Sequence, residues 1–459
     1  MKQTAIKPYH LFNHEERTYL INIEEMTAAI VDETAARLLK KISTQPTPTT
    51  GDGIAEELKK LGLLSDGKEK TSVVKKEYPV VSMCLFLTQS CNLDCVYCYG
   101  DGGAYGTGGN MDEETAFKAV DWLIEQSGKM KQLHIGFFGG EPFLMFPLMK
   151  AIVQYARKRA EEAGKKVSFH ATSNGTLFDD EVIDFIKEEE MSVLVSFDGP
   201  RGIQDAQRPF TNGDGSYDAT APKIRKLLAA VPKTPGHAVL VGDTDPKLVK
   251  DALQEIGFTE ISLLPASRSL FTDNSKKQTR DTRQLIQELE KQAKAWLDAT
   301  KKRDIHALKE LVSKSELYQG VLSLLHNSKR RHACGAGLGM MAVSSVGDLY
   351  LCHRFVGQDD YKLGSIFEDR LNRKEYQESP TIDNPVCSVC FARYYCAGGC
   401  KHDNAGSCGS IAAPAEEMCR LRCREMELAA VIVSNLTPDD KAFLIEQNVF
   451  PPKPCPLDF

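Results

Sequence analysis

Between residues 81 and 264 short apolar runs alternate with longer amphipathic stretches. VVSMCLFL (81–88), QLHIGFF (132–138), KVSFHAT (166–172), MSVLVSF (191–197), HAVLV (237–241) and EISLL (260–264) read as strands. Between the first two, DEETAFKAVDWLI (112–124) sets Ala116, Val120 and Leu123 on one helical face. A stretch near 144–162 and DDEVIDFIKEE read as helices in the next two intervals. Repeated strand–helix alternation predicts a parallel sheet, because each return crossover needs room for a helix. An open doubly wound sheet and a partial barrel fit this periodicity equally.

The flanks carry other patterns. YHLF (9–12), TYLINI (18–23) and TAAI (27–30) are strand candidates, and DETAARLLKKI (32–42) is a helix opened by an Asp32 cap. After a polar Pro/Thr-rich stretch, IAEELKKLGLL places Ile54, Leu58 and Leu61 together, with Gly62 set to end the helix. Residues 1–75 therefore read as a small winged-helix-like domain, and 65–78 as a linker. Residues 271–329 read as a helical connector, with TRQLIQELEKQAKAWLDA and HALKELVSKSELYQGVLSLL as its helices. Trp122 and Trp296 fall in helices as packing residues. Residues 436–459 read as a C-terminal tail.

Composition narrows the class. A chain of 459 residues has room for about three domains. With 57 basic and 63 acidic side chains the formal charge is −6, which gives no footprint for nucleic acid. MKQTAIKPYHLF has no signal-peptide run, and no stretch reaches membrane-span length, so a cytoplasmic protein with no membrane partner is expected. The 14 cysteines break this ordinariness because they are grouped. Cys84, Cys91, Cys95 and Cys98 stand together, nine more lie from Cys334 to Cys423, and Cys455 is alone. Such groups in a large chain favour metal or iron–sulfur binding over a disulfide scaffold. Cys84, within an apolar run, reads as core.

CNLDCVYC spaces Cys91, Cys95 and Cys98 on one short loop after the first strand. Three thiolates can hold three irons of a [4Fe–4S] cube and leave the fourth open to a small molecule. A zinc site is the alternative, but it wants a fourth ligand, for which His134 is a candidate.

The C-x3-C-x2-C spacing, with Tyr97 before the third cysteine, resembles the radical S-adenosylmethionine (radical SAM) superfamily. GGEP (139–142), SNG (173–175), SFDG (196–199) and DAQR (205–208) agree with it over residues 80–270. The resemblance implies a partial (β/α)6 barrel within an α/β fold. It implies SAM binding through Gly139, Gly140, Glu141, Pro142, Asn174, Ser196, Arg208 and Tyr97. The reduced cluster would cleave SAM to a deoxyadenosyl radical, and the protein would place a substrate C–H against it.

A second resemblance covers 330–435. Cys334, Gly347, Cys352, then Cys387-x2-Cys390-x5-Cys396-x3-Cys400 and Cys419 resemble the cysteine-rich SPASM domain of peptide-maturing radical SAM enzymes. That precedent implies two auxiliary [4Fe–4S] clusters, three with the catalytic one. Cys387, Cys390, Cys396 and Cys419 would hold the outer cluster, and Cys334, Cys352 and Cys400 the inner one. The inner set is one ligand short; either Cys408 or Cys423 completes it, or an iron stays open for a substrate thiolate. His353 beside Cys352 is either a tuning group or a surface residue.

The first 75 residues resemble the precursor-recognition domain of ribosomal-peptide modifying enzymes, which pairs with a leader peptide by strand addition. Together the three parts imply an oxidoreductase-type peptide maturase forming intramolecular thioether crosslinks, of the sactipeptide and ranthipeptide group. Its partners would be a precursor peptide with a leader and an electron donor such as flavodoxin or ferredoxin. Carbon–carbon crosslinking, epimerisation and formylglycine formation on a sulfatase are the alternative reactions for this scaffold.

Overall fold

The computed structural model describes residues 6–43, 52–64, 78–106, 108–271, 282–315, 317–368, 370–378 and 381–451. Three strands come first: β1 (Tyr9–His14), β2 (Arg17–Asn22) and β3 (Thr27–Val31). Six follow at the expected places: β4 (Ser82–Thr88), β5 (Gln132–Gly139), β6 (Lys166–Ser173), β7 (Ser192–Ser196), β8 (Gly236–Leu240) and β9 (Ile261–Pro265). The last three are short: β10 (Met340–Val343), β11 (Asp348–Tyr350) and β12 (Lys362–Ser365).

Strands β4 to β9 are parallel neighbours in sequence order. Helices such as Glu113–Gln126, Phe146–Glu162, Asp180–Glu188, Tyr217–Ala230 and Pro246–Ile256 make the crossovers. The period of two along β4 divides its faces. Met83, Leu85 and Leu87 join the core with Ala116, Val120 and Leu123, while Ser82 and Cys84 line an internal cavity. All six strands send side chains into that cavity, among them Phe138, Thr172, Ser196, Val239 and Leu264. The sheet is therefore curled around it. Pattern alone left open sheet and partial barrel equal; the shared cavity favours the curled form.

Two features depart from the sequence reading. The sheet has nine strands, in the order β12-β11-β10-β4-β5-β6-β7-β8-β9. β10 lies parallel to β4, with Met340 opposite Ser82 and Val343 opposite Leu85, and β11 and β12 continue antiparallel. The cysteine-rich segment is thus built onto the edge of the sheet. Periodicity cannot report a pairing between residues about 260 apart. The reading of 436–459 as a tail also needs correction. Pro438–Glu446 is a helix with a full capping box at Thr437, and Leu444, Val449 and Phe450 are buried. Phe450 stacks parallel to Trp296 at 5.8 Å. Aromatic burial holds this end in place.

The N-terminal sheet is antiparallel, in the order β1-β2-β3. Its two faces serve different cores. Tyr19 and Ile21 pack with the helices Thr282–Lys302 and Glu416–Asn435, whereas Leu20 packs with Ala35, Leu39 and Leu58. Asp32 caps the helix Glu33–Ser43 through the Ala35 N–H at 2.8 Å, as expected. Gly62 turns at φ +67° beyond the helix Asp52–Lys60, a conformation that favours glycine. The linker assigned to 65–78 lies outside the described residues except for its last one. Trp122 and Trp296 are both buried in helices. Among the described residues, no helix is long and apolar enough to cross a membrane.

Candidate functional site

The loop 91–98 leaves the C-terminal end of β4 and is fixed by the turns after β5 and β6. Gly140 N–H donates to Thr88 O and Glu141 N–H to Ser90 O, both at 3.0 Å. A Cβ on Gly139 would stand 1.9 Å from Thr88 O, and one on Gly140 1.9 Å from Ser90 O. Backbone contact this close admits only glycine. Glu141 is fully buried and accepts from Phe143 N (3.1 Å), Ser173 Oγ (2.9 Å) and Asn174 N (2.7 Å). Burial pushes its carboxyl up to about 7, against the pull of these bonds. Pro142 starts the short turn that follows. Asn174 Nδ2 then donates to Asn92 Oδ1 at 2.8 Å and to Cys91 Sγ at 3.8 Å. Three β-to-α turns thus hold one thiol.

The opposite wall is a charged network. Arg208 Nη1 donates to Tyr97 Oη at 2.5 Å, and Tyr97 Oη donates to Asp198 Oδ2 at 2.7 Å. Val239 N–H donates to Asp198 Oδ1 at 3.1 Å, tying the network to β8. Arg208 is buried and its Nε has no hydrogen-bond partner. Ser196 Oγ lies 3.3 Å from His237 Nδ1. Burial, with Arg208 adding to it, pushes His237 down to about 4. Burial and Arg354 hold His353 lower still, to about 3, and burial lowers His170. Cys91, Cys95, Cys98, Arg208 and these three histidines line one cavity of about 480 Å3. His353 is therefore a cavity residue. His134 is exposed, bonded at Nδ1 to Ser168 Oγ at 2.7 Å, and does not line the cavity.

The C-terminal thiols form two groups. Burial, with negative charge on Cys400 and Cys334, raises Cys352 to about 12, which identifies these three as neighbours. Cys387 is raised to about 11 by burial and then by Cys396, Cys419 and Cys390. Cys423 Sγ lies 4.0 Å from Cys390 Sγ. The helix Glu416–Asn435 carries Cys419 and Cys423 on one face, so both join the outer group. Cys408 is exposed, and Cys419 is the cysteine that feels its charge. Cys423 thus stands beside Cys390, Cys419 and Cys396. A second cavity, of about 390 Å3, runs between the groups past Cys334, Cys396, Cys400 and Cys419. Cys84 is buried in the core, as expected, and also borders the first cavity. Cys455 lies outside the described residues.

These residues fit iron–sulfur clusters better than single ions. Among the described residues no group of three or more His, Cys, Asp or Glu side chains converges on one ion. A cube presents a different iron to each thiolate, so its ligands stand apart. Without metal, burial raises Cys91 to about 12 and Cys95 to about 11. Binding iron would release those protons. The bonds to Cys91 Sγ from Leu93 N–H at 3.4 Å and from Asn174 suit a thiolate acceptor. The buried, unpaired Arg208 Nε is suited to an anionic group entering the cavity. Asp198 and Arg354 were not singled out from sequence. SFDG contains Asp198, but only the fold shows that it faces Tyr97 and Arg208.

Residues 85–254 match the family described as the Radical SAM superfamily. Mycofactocin maturase MftC of Mycobacterium tuberculosis is 26% identical over 333 residues, 68% of this chain and 76% of that protein. The radical SAM cyclopropyl synthase TigE of Paramaledivibacter caminithermalis is 24% identical over 172 residues, 35% of this chain and 34% of that protein. The chain spans less than half the length of the first curated relatives it matches. A solved structure, native anSMEcpe with bound AdoMet and Kp18Cys peptide, superposes with a TM-score of 0.64 at 20% identity. That superposition covers 78% of this chain and 99% of the other. At that identity the likeness speaks for the fold.

Proposed function

We propose that this chain, whose residues 85–254 match the radical SAM superfamily, is a peptide maturase that joins a cysteine sulfur to an acceptor-residue carbon in a ribosomally made precursor. One observation carries the reading. A single cavity touches the three-thiol loop at one end and His353 and Arg354, next to Cys352, at the other. A substrate held there would stand between the catalytic loop and the inner thiol group. The names of MftC and of the peptide-bound anSMEcpe structure support a peptide or protein substrate.

Cys91, Cys95 and Cys98 would hold a [4Fe–4S] cluster, which with SAM bound would supply a radical able to abstract hydrogen from carbon. The chain's own residues do the positioning. The turn at Gly139 and Gly140 presents backbone groups for the methionyl amine of SAM. Arg208, held by Tyr97 and Asp198, offers Nε to its carboxylate, and Ser196 and Asn174 add polar contacts. His170, His237 and His353 are neutral at neutral pH. They give the wall uncharged hydrogen-bonding groups suited to a peptide backbone.

The inner group would hold a second cluster on Cys334, Cys352 and Cys400, with one iron open for a substrate thiolate. Metal coordination favours thiolate, so the thiol proton would be lost there, and the one electron released when the thiolate joined the carbon radical would pass to the cluster these residues would hold. The outer group would hold a third cluster, with an external ferredoxin-like or flavodoxin-like donor supplying electrons. The sheet β1–β3 would take the leader.

Anaerobically reconstituted protein, SAM, reductant and a candidate precursor rich in cysteine test the reading. A crosslinked product has lost two hydrogens and one alkylatable thiol per bond, with 5′-deoxyadenosine released. A two-hydrogen loss with every cysteine still alkylatable would falsify thioether formation and favour a carbon–carbon bond.

A further inference from the structure

Arg354 touches both thiol-bearing regions. Its Nη1 donates to Cys400 Sγ at 3.4 Å, and its Nη2 lies 3.0 Å from Asp403 Oδ1. Its guanidinium carbon sits 5.1 Å from the centre of the Tyr99 ring, and Tyr99 directly follows Cys98. The side chain is 15% exposed, and it lines the cavity beside His353. Burying a guanidinium this deeply is costly unless its partners are fixed. The partners here are a thiol, a carboxylate and an aromatic face, the first two from the segment at Cys400 and Asp403 and the third from the loop at Tyr99.

We infer that Arg354 is a positioning residue that raises the reduction potential of the cluster proposed at Cys334, Cys352 and Cys400 and locks that cluster's place relative to the catalytic loop. The inference rests on the reading of Cys400 as an inner-cluster ligand. Its physics is separate from that reading. A hydrogen bond to a ligand sulfur and a nearby positive charge both stabilise the reduced, more negative cluster. Asp403 opposes this by pairing with the same guanidinium. The two residues should therefore act with opposite signs. Lysine is a poor substitute, because a point charge lacks the planar fork that reaches sulfur and carboxylate while lying over a ring.

The test uses full-length protein in which Cys91, Cys95 and Cys98 are alanine, so that only the auxiliary clusters report. Redox titration followed by electron paramagnetic resonance should show two centres. Cys400→Ala should remove one of them, which identifies the inner centre. In the same background, Arg354→Met should lower the potential of that centre and leave the other unchanged. Asp403→Asn should raise it, and Arg354→Lys should fall between Arg354→Met and the parent.

An unshifted inner centre in Arg354→Met, or shifts of the same sign in Arg354→Met and Asp403→Asn, overturns the inference while leaving the cluster assignment intact. Should Arg354→Met fail to fold, the Asp403→Asn result still decides, since a lowered or unchanged potential there is equally fatal. Retention of both centres in Cys400→Ala refutes the cluster assignment, and the inference with it.

Discussion

The chain presents its thiols in two ways. The first set lies within eight residues, Cys91 to Cys98, on a loop braced by neighbouring turns through Gly139, Gly140, Glu141 and Asn174. The second set is gathered from segments as far apart as Cys334 and Cys423, and only the fold brings it together. A contiguous loop can be rigid before any metal arrives, because backbone contacts define it. A distributed set depends on packed helices, and its metal should contribute more to the folding of that region. The first region is tuned for placement, the second for capacity.

The sharpest way to break this comparison is to remove the first set. Replacing Cys91, Cys95 and Cys98 by alanine should abolish SAM cleavage and remove about one cluster's iron of three. Absorbance and iron from the auxiliary sites should persist. Complete loss of colour would mean that the two regions load as one unit.

Next in size is the bracing itself. Gly140→Ala puts a methyl 1.9 Å from Ser90 O, a distance that only a backbone shift relieves. A displacement near 1 Å at a reacting centre costs on the order of 100-fold in rate. SAM cleavage should fall by about that factor while auxiliary iron stays constant. Full activity would show that the loop is held by something other than this turn.

Smaller effects belong to the wall. Asp198→Asn weakens the hold on Tyr97 and Arg208, a loss of about 1.5–3 kcal/mol for a charged hydrogen bond. SAM affinity, measured by equilibrium dialysis, should drop by about tenfold to a hundredfold. The same wall predicts an acid limit. His237 has its folded value pushed down to about 4, so the unfolded chain binds the proton first as pH falls. Stability from this group is full above about pH 6.5 and is lost progressively toward pH 4. His237→Asn should flatten that part of the curve in thermal melts. On the alkaline side the sign reverses for the second region. Cys352 and Cys387 hold their protons to about 12 and 11, so metal-free protein loses stability as pH rises past the ordinary thiol value.

What could be read from the sequence follows the same division. Strands β4–β9 were visible because each is a continuous apolar run bounded by helical periodicity. The loop 91–98 was visible because its ligands are adjacent. The strands β10–β12 were not, since MMAV and DLY carry too few residues for a pattern and pair with partners far away in the chain. Arg354 was equally hidden. Its sequence neighbours, His353 and Phe355, say nothing of Tyr99 or Cys400. The helix Pro438–Glu446 has a hydrophobic face too weak to announce itself, and its burial depends on Trp296 from another helix.

The smallest expected effect lies in the second region and tests its capacity directly. Five thiols, Cys387, Cys390, Cys396, Cys419 and Cys423, are electrostatic neighbours, one more than a cube would take. Cys419 and Cys423 sit one turn apart on the same helical face, about 6 Å between their Cα atoms, within reach of one iron by side-chain rotation. Removing either alone should leave four ligands. Cys419→Ser and Cys423→Ser should each keep nearly all auxiliary iron, with at most a small change in spectral shape. The double variant should lose about one cluster. The first region has no such reserve, and Cys95→Ser alone should empty it. Should Cys419→Ser by itself lose a whole cluster, the outer site has four fixed ligands. Cys423 is then only the hydrogen-bond partner of Cys390, and the two regions are equally strict.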